Sequence, residues 1–238
     1  MTISIIIPAY NEVKYIGDCL REILRYAPEN LTEIIVVDNA SSDRTAEAAS
    51  RFPKVRVVFE PNKGLTKARQ RGLTEARGDL LAFVDADNLA PPDWFKTINQ
   101  EFNADPNLVC LSGPYVYYDT PKWQQWAVKW LYWNMLARLI YFFTKYMGTG
   151  GNMIMRKDAI ITAGGFDTKI EFYGEDTDTA RRLHEVGKVK FAWNFFMPSS
   201  GRRFAKEGTF KTGATYVANY TNIMFNKKPL TKNYKDIR

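Results

Sequence analysis

The sequence predicts an α/β fold: one domain built on a mainly parallel sheet flanked by helices. Three observations carry this. Short, continuous apolar runs, such as residues 3–8, suit strands covered on both faces. Helical patterns separate these runs through the first half, and such alternation implies right-handed crossovers between parallel strands. No linker, internal repeat or low-complexity stretch interrupts the 238 residues, so residues 1–225 read as a single domain followed by a basic tail at 226–238.

The elements follow in order. Residues 3–8 form the first strand, and Ile16, Leu20, Ile23 and Leu24 recur at helical spacing after it. The second strand is 33–38, and Ser41-Ser42-Asp43 supplies N-cap chemistry for a helix through Ala49. A third strand is expected at 55–59, a helix at 65–76 closed by Gly78, and a fourth strand at 80–84 running into Asp85-Ala86-Asp87. The second half is less regular. Pro91-Pro92 opens a helix, 109–118 reads as extended, 122–146 as helical, and 148–155 as a glycine-rich turn into a short strand. A helix at 174–186 ends at Gly187, and 189–193 is the last strand. The domain thus divides into a regular first half at about 1–105 and a less regular second half at about 106–225.

Bulk properties narrow the partners. The net charge of +7 permits nucleic acid, an anionic membrane or a phosphate-rich ligand. The first half lacks a long basic stripe with interleaved aromatics, so nucleic acid is not the expected partner. No basic and then apolar leader precedes the first strand, so no signal peptide is expected. Cys19 and Cys110 have neither metal nor redox spacing; they read as two free, buried thiols of a reducing, cytoplasmic compartment. His184 is the sole histidine, which excludes a multi-histidine metal site.

Ligands of parallel α/β sheets bind beyond the carboxyl ends of the strands. Tyr10, Asn11, Asp38, Asn39, Asp85 and Asp87 all fall there. Asp85 and Asp87, one residue apart on a turn, can both face a cleft. Such carboxylates suit Mg2+ or Mn2+, which commonly bridge a carboxylate to a substrate diphosphate. The alternative is a pair of loop aspartates capping the next turn; their place at the end of a fourth α/β strand favours the metal.

Several segments in order carry a resemblance. They are Ile7-Pro8-Ala9-Tyr10-Asn11-Glu12, Val36-Val37-Asp38-Asn39-Ala40-Ser41-Ser42-Asp43, Asn62-Lys63-Gly64 with Ala68-Arg69, Phe83-Val84-Asp85-Ala86-Asp87, Gly164-Gly165-Phe166-Asp167 and Gly174-Glu175-Asp176. Together they resemble a family 2 glycosyltransferase with the GT-A fold. The resemblance implies inverting transfer of a hexosyl group from a UDP- or GDP-sugar, with Mg2+ or Mn2+, to a hydroxyl or phosphate acceptor, with a donor half at about 1–105 and an acceptor half at about 106–225. That acceptor would be a glycan or a lipid-linked, polyprenyl-phosphate type molecule at the cytoplasmic membrane face. Pro8, Ala9, Tyr10 and Glu12 would form the first wall of the nucleotide pocket, and Asp38 would accept from the base imide. Lys63 and Arg69 would steady diphosphate or sugar, and Asp85 and Ala86 would touch the donor, with Asp87 and Asp85 holding the metal. Asp176 of the Glu175-Asp176 pair would be the catalytic base, kept ionised by a helix N-terminus. Arg202 and Arg203, on a flexible loop after Ser199-Ser200-Gly201, can clamp the diphosphate. Relatives often place a histidine metal ligand in this later region. None follows His184 here, so water and diphosphate, or the arginines, take its part. Two rivals remain: a nucleotidyltransferase, which would carry a glycine-rich loop where this chain has Pro8-Ala9-Tyr10-Asn11, and a non-catalytic nucleotide-sugar binding module, against which the intact Asp85, Asp87 and Asp176 argue.

One segment, 122–147, stands apart. Trp123, Trp126, Trp130 and Trp133 share one face of an α-helix with Lys122 and Lys129 beside it, while Leu136, Leu139, Phe142 and Phe143 fall on a second apolar face. Tryptophan beside lysine suits a peripheral membrane contact; a core helix or a homodimer interface fits the same pattern. Lys129, Arg138 and Lys145 interrupt it, so it is not expected to span a bilayer.

Overall fold

The structure, a computed structural model, describes residues 1–170, 173–226 and 230. Its strands are β1 (Ile3–Ala9), β2 (Leu31–Asp38), β3 (Val55–Phe59), β4 (Leu80–Val84), β5 (Leu108–Ser112), β6 (Tyr115–Tyr117), β7 (Asn152–Arg156), β8 (Lys188–Phe191) and β9 (Met197–Ser199). Seven of them form one sheet in the order β3-β2-β1-β4-β7-β5-β8, and β6 pairs with β9 beside it. The first four are mutually parallel, as their separation by helices requires. Strand β7 runs antiparallel between β4 and β5, and β8 lies parallel to β5.

Both faces of the sheet are covered, which is why the strands read as unbroken apolar runs: every residue of β1, β4 and β5 is buried. Alternate side chains serve opposite layers. Ile5 and Ile7 pack with Ile16, Leu20 and Ile23 of α1 (Ile16–Arg25) and with Trp94 and Ile98 of α4 (Trp94–Ala104). Ile6 and Ile35 pack on the other face with Ala68 and Leu73 of α3 (Leu65–Glu75) and with Ala180 and Leu183 of α8 (Glu175–Val186). The first layer also holds α2 (Thr45–Ser50) through Ala49, preceded by the Asp43 carboxylate accepting from Thr45 N, and the second holds α7 (Lys157–Thr162) through Ala159 and Ile160. Cys19 and Cys110 are free and buried in these layers, as expected.

Four expectations are corrected. Gly78 does not close α3; Ala76 already turns extended, and Gly78 instead lets the chain pass β1, since a Cβ there would come within 2.6 Å of Ser4 N. The extended stretch 109–118 breaks at Gly113-Pro114 into β5 and β6, which belong to different sheets. Arg202 and Arg203 open a helix, α9 (Arg202–Glu207), rather than riding on a loop; α10 (Thr209–Asn226) follows. The tail expected at 226–238 lies, apart from Asn226 and Leu230, outside the described residues.

The fourth correction concerns the tryptophans. The helix comprises α5 (Lys122–Ala127), a π-helical segment (Val128–Ala137) and α6 (Arg138–Thr144). Trp133 turns inward at 7% exposure, donates its indole N–H to Tyr115 O at 3.1 Å and stacks on Phe191. Trp123, Trp126 and Trp130 stay exposed, and Leu139, Phe142 and Phe143 join them rather than packing inward. The α-helical period of 3.6 residues fails because π-type bonding runs i→i+5. The wider turn puts residues four and five apart on one line and swings Trp133 away from Trp130.

Candidate functional site

A cleft opens at the carboxyl ends of β1 and β4. Pro8 lines it from the end of β1 and Glu12 from the chain after it, and Asp85, Ala86 and Asp87 from the chain after β4. Because β7 is antiparallel, its first residue sits beside the last of β4, with Asn152 opposite Val84. The glycine-rich turn before β7 therefore reaches the same rim. Gly150 and Gly151 are needed there for close approach: an added Cβ would lie 2.3 Å from Arg69 Nη2 at Gly150 and 2.4 Å from Asp85 Cγ at Gly151.

Arg69 holds the centre. It is 2% exposed, donates to Glu175 Oε1 at 3.0 Å and reaches Asp85 Oδ1 at 3.3 Å. A buried guanidinium requires such partners. Tyr115 Oη donates to the other oxygen of Asp85 at 3.0 Å and accepts from Gly151 N at 2.6 Å, so Asp85 is fixed from both sides. Asp176, next to Glu175 in the first turn of α8, lines the cleft and accepts from Thr177 N at 2.7 Å. Burial raises the carboxyls of both Glu175 and Asp176 above their ordinary range, and for Glu175 the Asp176 charge adds to the rise; Arg69 opposes it at both.

A second ionic knot lies at the edge of the cleft formed by the chain after β1. Arg202 donates to both oxygens of Glu12, at 2.8 and 2.5 Å, and its Nη2 lies 3.1 Å from Asp87 Oδ2. The fork geometry of arginine suits this bidentate grip. Tyr118 Oη donates to the carbonyl of Asp87 at 3.2 Å, and Glu12 N donates to Thr45 Oγ1 at 2.8 Å. Arg203 also lines the cleft, with Nη1 2.9 Å from Glu207 and 3.5 Å from Tyr173 Oη.

Among the described residues no group of three or more His, Cys, Asp and Glu side chains forms a metal cage. Asp85 and Asp87 nevertheless fit Mg2+ or Mn2+: both offer hard oxygen donors to the cleft, and such ions are usually held by one or two carboxylates plus substrate phosphates and water.

Four expected residues stand outside the lining of this cleft. Ala9 is a buried strand residue whose carbonyl accepts from Asn39 N at 2.8 Å. Lys63 Nζ sits 4.1 Å over the Tyr10 ring and donates to its hydroxyl, so the two engage each other. Asn39 fixes the loop that carries Lys63, accepting from Gly64 N and donating to the Asn62 and Glu60 carbonyls. Asp38 is 7% exposed, and its Oδ1 has no hydrogen-bond partner. A buried acceptor left unpaired costs about 1–3 kcal/mol.

The sequence reading missed the aromatic wall opposite. Tyr115 and Tyr117, Tyr132 and Trp133, and Tyr216 and Tyr220 line that side of the cleft. For one pair a signal existed: Tyr115 and Tyr117 flank the exposed Val116 at strand period two. The others come from helix faces whose phase the sequence did not disclose.

A mainly parallel α/β sheet carries Asp85 and Asp87 at its carboxyl rim and faces Glu175 and Asp176 across the cleft. The chain belongs to glycosyl transferase family 2, whose family model matches residues 4–164. It is similar to glycosyltransferase GlyG of Streptococcus pneumoniae serotype 4, 33% identical over 120 residues that cover 48% of this chain and 40% of GlyG. It is also similar to the chondroitin synthase of Pasteurella multocida, 28% identical over 206 residues covering 79% and 19%. The chain thus spans well under half the length of these relatives. Among solved structures it resembles the mannosyltransferase PcManGT from Pyrobaculum calidifontis in complex with GDP-Man and Mn2+, with TM-score 0.71, 21% identity and coverage of 95% and 65%. It also resembles S. aureus TarS 1-349 in complex with UDP-GlcNAc, with TM-score 0.68, 17% identity and coverage of 95% and 74%. These likenesses show the GT-A glycosyltransferase fold.

Proposed function

We propose that the chain is an inverting glycosyltransferase that moves a hexosyl group from a UDP- or GDP-sugar to an acceptor hydroxyl or phosphate. The observation that carries this is the meeting of Asp85, Asp87 and Asp176 on one cleft at the carboxyl rim of the sheet. Asp38 Oδ1, buried and unpaired, accepts the imide N–H of the base. Asp87 and Asp85 hold Mg2+ or Mn2+; when bound, the ion neutralises charge that grows on the departing nucleoside diphosphate. Arg202, already between Glu12 and Asp87, offers a second positive charge for phosphate oxygens. No histidine follows His184, so water and diphosphate would complete the metal shell, or Arg202 would take over part of its charge compensation.

Asp176 accepts the proton of an acceptor hydroxyl as that oxygen attacks the anomeric carbon from the face opposite the diphosphate. Its raised carboxyl makes it a stronger base than an ordinary aspartate. Glu175, tied to Arg69, positions rather than reacts. With a phosphate acceptor no proton need leave, and Asp176 then orients the acceptor. The exposed apolar face on 122–144 supports a lipid-linked acceptor and a place on the inner face of the membrane.

Calorimetry of UDP and GDP with the parent and with Asp87→Asn, each with and without Mn2+, tests the reading. Mn2+ should tighten binding to the parent and not to the variant. Equal tightening in both would remove the metal from Asp87. Absence of metal-dependent hydrolysis of every UDP- and GDP-sugar by the parent would leave only a binding module.

A further inference from the structure

We propose that the outer face of the helix at 122–144 seats on an anionic lipid bilayer, holding the acceptor side of the cleft against the membrane surface. The seating stands on the surface itself; the consequence for the acceptor rests on the glycosyltransferase reading above.

The first observation is the row of exposed apolar side chains. Trp123, Trp126, Trp130 and Leu131 are each at least 50% exposed, and Met135, Leu139, Phe142 and Phe143 continue the row at 58–72%. Single exposed apolar residues are ordinary, but a contiguous row on one helix marks an interaction surface. The π-helical segment makes the row continuous. Trp126, Trp130, Met135, Leu139 and Phe143 follow at intervals of four and five, the spacing that lines up where bonding runs i→i+5. Asn134 Nδ2, donating to the Lys129 carbonyl five residues back at 2.9 Å, supports that wider turn. With α-helical geometry throughout, the tryptophans and phenylalanines would drift to different sides.

Charge then selects the occupant. Residues 122–146 contain no aspartate or glutamate, and their charged members are Lys122, Lys129, Arg138 and Lys145. These cations sit among the rings: Lys129 Nζ is 5.9 Å from the Trp130 centroid, Lys145 Nζ 4.5 Å from Phe142, and Arg138 packs at 4.5 Å on Trp193. Rings that enter the headgroup region beside amines that reach phosphates are what an anionic interface accepts. A second copy of the chain fits less well. A two-fold contact would set this face against itself, basic residues against basic residues with no acid on the segment to answer them. Among the described residues no helix is long and apolar enough to cross a membrane, so the contact is peripheral.

The opposite side of the same helix gives the contact its meaning. Tyr132 and Trp133 line the cleft that Asp176 also lines. One helix therefore offers its outer face to lipid and its inner face to the acceptor subsite. An acceptor headgroup carried by a lipid would arrive at that wall without leaving the bilayer.

Co-sedimentation of the full chain with phosphatidylcholine vesicles, with and without phosphatidylglycerol, tests this. The parent should pellet with the phosphatidylglycerol vesicles, less so at high salt. Trp126→Ser with Trp130→Ser should weaken that binding roughly tenfold or more. Both residues are exposed and outside the cleft, so the double variant should keep the parent's melting temperature and its hydrolysis of nucleotide-sugar. A parent that hydrolyses donor but ignores phosphatidylglycerol vesicles overturns the docking and leaves the transferase intact. A parent that binds vesicles but hydrolyses no donor leaves the docking standing and overturns the transferase. Unchanged vesicle binding by the folded double variant overturns the choice of this face. A dimer in sedimentation velocity that the double variant abolishes, with no vesicle binding by the parent, overturns the docking and assigns the face to a second copy.

Discussion

Replacing Arg69 with methionine removes a guanidinium that is 2% exposed and lies 3.0 Å from Glu175 and 3.3 Å from Asp85, while keeping most of the aliphatic volume. Breaking a buried pair typically costs about 3–5 kcal/mol, because the remaining charge stays buried without compensation. Here two carboxylates are left. Glu175 is 10% exposed and bears most of the penalty; Asp85 keeps 33% of its side chain in solvent and is partly rehydrated. The lower end, about 3 kcal/mol, is therefore expected. For a domain of this size that lowers the melting temperature by about 6–12 °C. The loss should depend on pH with a definite sign. Burial and Asp176 already raise the Glu175 carboxyl, and Arg69 is what restrains it. Without Arg69 the folded state binds that proton still more tightly than the unfolded chain does. The deficit relative to the parent should then shrink on acidification and grow as pH rises through the raised carboxyl. That carboxyl is pushed up to about 8, so melting curves at about pH 6 and about pH 9.5 read this directly. A deficit below about 1 kcal/mol, or one that grows as pH falls, would refute the view that Arg69 neutralises the two acids.

Asp176→Asn should leave nucleoside diphosphate affinity intact while turnover falls about a hundredfold or more; unchanged initial rates would demote it to a capping residue of α8 or point to a phosphate acceptor. In the parent, kcat/KM should rise with pH along a limb above the ordinary aspartate range, because burial raises this carboxyl, and the limb should be missing from the variant's residual activity. Gly151→Ala forces a Cβ to within 2.4 Å of Asp85 Cγ and 2.6 Å of Tyr115 Oη. It should destabilise by about 1–3 kcal/mol and weaken Mn2+-dependent tightening of UDP or GDP; wild-type calorimetry and melting would show that the turn yields without moving Asp85.

The first half was legible because its strands are buried on both faces and end in polar residues. Ile5, Ile35 and Phe83 announce strands, and Asp38 and Asp85 mark where they stop. Asp176 was findable from a helix start and its neighbours. The partners of these residues were not. That Arg69 would cross 106 positions to Glu175, or Arg202 would cross 190 to Glu12, depends on how α3 and α9 lie against the rim, which no local pattern encodes. The tryptophan helix shows the same limit differently. Its composition fitted a membrane contact, a core helix or a dimer interface alike; the phase of its faces followed a period of 3.6, whereas the structure turns Trp133 inward and leaves Phe143 outward. Gly78 was read by the commonest use of glycine after a helix, whereas the constraint comes from Ser4, 74 residues away.

The order of the seven-stranded sheet gives the domain a seam. Strands β3, β2, β1 and β4 form one contiguous block from the first 84 residues; β7, β5 and β8 form another from later chain, and the two blocks meet along the five antiparallel pairs of β4 with β7. Until residue 156 is in place, β4 is an open edge, the kind of unpaired ladder that invites pairing with other chains. The same seam carries the chemistry. Asp85 and Asp87 continue one side of it, and Gly150 and Gly151 lead into the other. Asn88 Nδ2, donating to the Gly151 carbonyl at 2.7 Å, bridges the two, as Arg69 does to Glu175. Neither block holds both acidic pairs, so two separately made halves would each lack part of the cleft and would complete it only by zipping β4 to β7. In such a molecule the joint that completes the sheet and the joint that assembles the site are one and the same.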